Sequence, residues 1–179
     1  MKRQWLFPLV CALTLFLFAG TALAAPQKSA PIPLRNDISY DAFLMELNSW
    51  LSREEFHIDL SAPEYTAEIS EDGFTAYLAS TPSTTQVAFY TRDGLLYRAV
   101  TLYRPDNKEM TADATKLITA TCLANGLTPD EMTQLFQREK VNDRTQLGRV
   151  YCEKTQKYVY TMLNQMDEDV VAVGVYALD

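Results

Sequence analysis

His57 is the only imidazole in this chain of 179 residues. It follows the charged run Arg53-Glu54-Glu55 and stands two positions before Asp59. A His-x-Asp at a helix end is a spacing that orients an imidazole for proton transfer. Such chemistry also needs a nucleophile or a second acid nearby, and no motif supplies one. The sequence has no G-x-S-x-G, no Gly-rich phosphate loop, no H-E-x-x-H and no C-x-x-C. His57 is therefore read as a helix-terminal residue satisfied by a backbone carbonyl or by the helix dipole. It is the one catalytic candidate by residue type.

The carboxylates fall in small groups, Glu54/Glu55, Glu71/Asp72, Asp130/Glu131 and Asp167/Glu168/Asp169. The last group offers hard oxygen donors but lacks the ligand spacing of a calcium loop, so it reads as a solvated turn. A pair of acids meeting across neighbouring strands is the other acid–base possibility. No metal site and no cofactor are expected.

Of three cysteines, Cys11 lies in the apolar N-terminal stretch, leaving Cys122 and Cys152 as an even pair. Cys122 lies on an expected helix face with Ile118, and Cys152 alternates with Val150 on an expected strand. Both are placed toward the core. In an oxidising compartment they are disulfide candidates, closing a loop of about 30 residues worth about 3.5 kcal/mol.

All ten tyrosines lie after residue 24. Tyr65, Tyr77, Tyr90, Tyr97, Tyr103, Tyr151, Tyr158, Tyr160 and Tyr176 fall on expected strands, with Arg92, Arg98, Arg104 and Arg149 interleaved. Tyrosine and arginine are enriched at recognition hot spots because each offers a broad, stiff surface with a polar tip. Both also serve as ordinary strand and edge residues. The binding candidates chosen from this set are Tyr90, Arg92, Tyr97, Arg98 and Tyr103.

The N-terminus frames these readings. Met1-Lys2-Arg3 leads into an apolar stretch from Trp5 to Ala19 and then Ala22-Leu23-Ala24. A basic start, an apolar centre and an A-x-A ending make a bacterial-type secretory signal peptide cleaved near Ala24. Export to the periplasm or the extracellular space is expected. Cleavage removes Lys2 and Arg3 and takes the net charge from −7 to −9. An acidic chain with no basic run argues against a nucleic-acid partner. The longest later apolar run, Val170 to Leu178, is too short to span a bilayer, so no stable membrane insertion is expected after cleavage.

Residues 25–37, with Pro26, Pro31 and Pro33, read as a Pro-rich linker or arm, and 38–179 as one α+β domain. Phe43, Leu47, Trp50 and Leu51 recur at helical spacing between about 39 and 56, with Asp37 or Ser39 as cap. Period-two segments near 64–70, 74–80, 85–92 and 94–103 follow, and Asp93-Gly94 marks a hairpin. Leu117, Ile118, Thr121 and Cys122 return to helical spacing and stop at Asn125-Gly126. Thr128-Pro129-Asp130-Glu131 starts a third helix, to about Glu139, with a cap, a first-turn proline and a capping box. Strands near 147–154, 157–163 and 169–178 complete the chain. The last is apolar on both faces and belongs at the centre of the sheet or under a helix layer. The order α-ββββ-αα-βββ gives an antiparallel sheet of about seven strands with helices packed on one face.

The functional expectation is an exported, non-catalytic binding module whose partner is a protein, a peptide or a cell-envelope component. The alternative is a small exported enzyme, such as a hydrolase, using His57 or a cross-strand carboxylate pair. Cleavage is directly measurable: N-terminal sequencing of the exported product is expected to begin at Ala25, and a product retaining Met1 or starting inside the apolar stretch would overturn the signal-peptide reading.

Overall fold

The computed structural model describes residues 30–69, 73–167 and 169–178. The expected signal segment, residues 1–24, lies outside them. From Pro31 onward the described residues form one packed unit of three helices and a nine-stranded antiparallel sheet.

The strands are β1 (Pro31–Ile32), β2 (Glu64–Ile69), β3 (Phe74–Ser80), β4 (Gln86–Arg92), β5 (Leu95–Tyr103), β6 (Glu139–Asn142), β7 (Thr145–Cys152), β8 (Lys157–Asp167) and β9 (Val170–Leu178). The helices are α1 (Tyr40–Leu51), α2 (Lys108–Ala124) and α3 (Pro129–Leu135). Across the sheet the strands run β2-β3-β4-β5-β9-β8-β7-β6, with β1 also paired to β9. Two meanders, β2–β5 and β6–β9, thus join through their last strands, with Arg98 opposite Tyr176 and Tyr103 opposite Val171. The α+β architecture matches the expectation from element order. The strands outnumber the expected seven because β1 has only two residues, both half-buried, and β6 has four, all of them exposed, so neither carries a burial pattern that periodicity detects.

Local chemistry accounts for the elements. Ser39 caps α1 by accepting from the Ala42 amide at 3.2 Å, and Tyr40, Phe43, Leu47 and Leu51 bury one stripe of the helix. The helix ends at Leu51, before the expected Phe56. His57 takes a positive φ of 44° and its amide donates to Arg53 O, which folds Phe56 and Ile58 back into the core. Asp93 and Gly94 both have positive φ, as the tight hairpin between β4 and β5 requires. Asn107 caps α2, which starts well ahead of its apolar repeat, and Gly126 follows it at φ +92°.

α3 carries the full capping box. Thr128 Oγ1 accepts from the Glu131 amide at 3.3 Å while Glu131 Oε2 accepts from the Thr128 amide at 2.6 Å. Glu131 Oε1 also accepts from the Glu153 amide at 2.8 Å, pinning α3 to the β7–β8 turn. Burial alone would raise the Glu131 carboxyl, but these hydrogen bonds outweigh it and hold the group below the usual carboxylate range.

The helices cover one face of the sheet. Phe43, Leu47, Leu117, Ile118, Leu127 and Leu135 pack on Val87, Phe89, Ala99, Val150, Val159, Val173 and Val175 in one cluster. The disulfide expected between Cys122 and Cys152 is not formed. Both cysteines face the core as expected, but their thiols are free and fully buried. Burial pushes the Cys122 thiol up to about 12, with Arg138 lowering it and Cys152 raising it. A thiol held protonated in an apolar interior packs as a small hydrophobe and is a poor nucleophile.

From Pro31 the expected arm is part of the packed unit. Pro31 and Ile32 pair with Leu178 and Ala177, and the Leu34 amide donates to Leu96 O. The buried Arg35 guanidinium donates to Asp37 Oδ1 at 2.9 Å, to Glu46 Oε2 at 2.7 Å and to Ala124 O at 3.1 Å. It thereby ties the arm to α1 and to the end of α2. Lys157 Nζ adds donations to Pro33 O and Asn36 Oδ1.

Two predictions follow from these contacts. A Cβ at Gly148 would stand 1.8 Å from Leu135 O. Gly148→Ala is therefore expected to cost about 1–3 kcal/mol in urea unfolding, and an unchanged midpoint would refute the close approach. The hydrogen bond from Arg35, opposed by partial burial, holds the Asp37 carboxyl at about 2, below its ordinary 3.8. A depressed folded value gives stability that is present above 3.8 and lost as pH falls toward 2. The stability gap between the wild type and Asp37→Asn should therefore shrink over that interval, as read by denaturant titration at each pH.

Candidate functional site

The register aligns tyrosines and arginines in one row across five strands. Tyr90 on β4 stands opposite Arg98 on β5, Arg98 opposite Tyr176 on β9, Tyr176 opposite Tyr160 on β8, and Tyr160 opposite Arg149 on β7. Residues directly opposite on antiparallel strands share a face. Val175, Val159 and Val150 belong to the helix-side core, so their neighbours Tyr176, Tyr160 and Arg149 lie on the other face. Tyr151 and Tyr158 extend this group one step along β7 and β8.

The contacts within the row are aromatic and cationic. Tyr160 and Tyr176 stack at 5.5 Å between centroids with 13° between planes. Tyr151 and Tyr158 meet edge to face at 5.2 Å. The Arg149 guanidinium lies 3.8 Å from the Tyr158 ring and 5.7 Å from that of Tyr160, while Arg98 lies 5.6 Å from the Tyr90 ring. Exposure rises along the row. Tyr90, Arg98 and Tyr176 are buried, Tyr160 is half-buried, and Arg149, Tyr151 and Tyr158 are exposed, the last two at 42% each. Burial pushes the Tyr176 hydroxyl up to about 12, with Arg98 opposing and Tyr160 adding to the shift. Exposed rings with an arginine guanidinium stacked over one of them suit contact with a partner surface.

The five residues chosen from sequence separate into three settings. Tyr90 and Arg98 belong to the row. Tyr97 meets Phe74 edge to face at 5.1 Å, and the Arg92 guanidinium lies 4.6 Å from the Tyr97 ring and 4.9 Å from the Phe74 ring. The pairing shifts between Tyr90 and Thr91, and this bulge re-aims Tyr97 beside Arg98. Tyr103 lies on the helix side, half-buried against the core cluster.

Arg149, Tyr151, Tyr158, Tyr160 and Tyr176 were visible as strand residues but not as a group. Their only sequence signal is period-two spacing, 149/151 and 158/160, within strands of a hairpin. The contact of β9 with β5 carries no local signal.

His57 is exposed, in a turn, and its side chain makes no hydrogen bond or ion pair among the described residues. An open depression of about 490 Å³ lies nearby in sequence, lined by Trp50, Phe56, Leu123, Leu127 and Met132 among others, but His57 does not line it. Among the described residues no group of three or more His, Cys, Asp or Glu is arranged to hold a metal ion. Asp169 lies 3.4 Å from Arg104 as an exposed ion pair. No family model, no curated protein and no solved structure matches this chain.

Proposed function

We propose that this protein is an exported, non-catalytic binding module that meets its partner through the accessible end of the tyrosine–arginine row. The partner is a protein, a peptide or a cell-envelope component, encountered in the periplasm or outside the cell after cleavage near Ala24. The observation that supports this reading is the packing of Arg149 on Tyr158, with Tyr151 and Tyr160 beside it, on a face that none of the three described helices covers. Arginine held on an aromatic ring is already ordered, so less rotamer entropy is lost when it engages a partner. The enzymatic alternative has no comparable support, because His57 is solvated and apart from the depression.

The test is cross-linked affinity capture from native cell envelope with the tagged mature protein, read by mass spectrometry. A captured component should be lost or bound at least about tenfold more weakly with Arg149→Ala plus Tyr158→Ala, the loss expected of hot-spot residues. Tyr65→Ala, at a 63% exposed tyrosine on β2, serves as the control. Equal recovery with the double variant and the control would overturn the assignment of the surface.

A further inference from the structure

Three partly or fully buried cations among the described residues are met by acceptors. Arg35 closes on two carboxylates and a carbonyl, Lys116 Nζ on Phe56 O at 2.6 Å, and Lys157 on Pro33 O and Asn36 Oδ1. Arg138, half-buried in the connection between α3 and β6, differs. Its Nε donates to Thr161 Oγ1 at 3.4 Å, the long limit of a hydrogen bond, and that hydroxyl is itself turned to Leu135 O at 3.3 Å. The guanidinium otherwise lies 5.4 Å from the ring of Phe136. No carboxylate comes within ion-pair distance of it, and its two terminal nitrogens have no acceptor among the described residues. Neither nitrogen is sealed from solvent.

A half-buried guanidinium is partly withdrawn from water, so a solvent-facing fork that meets no carboxylate is poised for an anion. We infer that Arg138 is the centre of an anion-binding site on the helix side of the sheet, taking a ligand that presents a carboxylate or a phosphate. The planar fork matches two oxygens of either group. Phe136, at 36% exposure, supplies an apolar wall for the body of such a ligand. Tyr103 is the neighbouring hydroxyl. Burial lowers the Arg138 pKa and the proximity of Tyr103 and Cys122 partly offsets this, in keeping with a desolvated cation facing polar neighbours. The site lies across the sheet from the tyrosine–arginine row and stands independently of the function proposed for it.

The test is NMR titration of the purified protein with inorganic phosphate and, separately, with benzoate, using chloride at matched ionic strength as control. A saturable shift of the Arg138 Nε–Hε signal and of the Thr161 amide with either probe supports the site. Response to phosphate alone or to benzoate alone assigns the anion. Arg138→Gln should weaken the responding probe by about tenfold or more, the worth of a charge-assisted hydrogen bond, and Arg138→Lys should fall between. Tyr65→Ala, at an exposed tyrosine on β2, should leave the titration unchanged. The wild-type titration decides the matter even if Arg138→Gln does not fold. No saturable shift at Arg138 with either probe beyond that of chloride would overturn the inference, and so would an unaltered response in a folded Arg138→Gln.

Discussion

The pairing of β5 with β9 is the constraint on which the rest of this molecule depends. It joins residues far apart in the chain, Arg98 with Tyr176 through Tyr103 with Val171, and turns two four-stranded meanders into one sheet. Both strands are buried on both faces along their central residues. Their apolar sequences, Leu95-Leu96-Tyr97-Arg98-Ala99-Val100 and Val170-Val171-Ala172-Val173-Gly174-Val175, suit no edge position, since an exposed apolar edge invites aggregation. The seam also continues past β5, where Pro31 and Ile32 take up the end of β9. Arg35 then fastens that arm to both long helices, so the first described residues and the last strand stabilise one another.

The outer edge on the β6 side is handled differently. β6 is short, fully exposed and irregular in its pairing with β7, features that blunt an edge. α3 lies along β7, fixed at one end by Glu131 to the Glu153 amide and at the other by the approach of Leu135 O to Gly148. A glycine is needed there because the helix end and the strand leave no room for a Cβ. Thr161, on the neighbouring strand, then takes Leu135 O as acceptor and leaves Arg138 with a single long hydrogen bond. The packing that closes the edge therefore also creates the incompletely satisfied cation.

Much of the fold was legible because its signals are local. The alternation in 64–103, the Asp93-Gly94 turn and the Thr128–Glu131 capping box each depend on residues within a few positions, and the structure places strands, hairpin and helix start there. The apolar spacing runs past the end of α1 to Phe56, because the turn after Leu51 returns Phe56 to the core that the helix faces. The cysteines were read correctly as core-facing, but whether two buried thiols bond depends on local geometry and reactivity that spacing does not record.

The candidate surface shows where local reading stops. Residue type and period two determine, from sequence alone, that Tyr158 and Tyr160 share one face and that Arg149 and Tyr151 share one face. They also determine that β9 is buried on both faces, because a strand apolar on both sides has no face to give to water. Only the tertiary structure decides that Tyr90, Arg98, Tyr176, Tyr160 and Arg149 stand in one row, because the row is set by the registers of five strands. The β5–β9 register in particular is chosen by the packing of the helices on Ala99, Val173 and Val175 rather than by any turn.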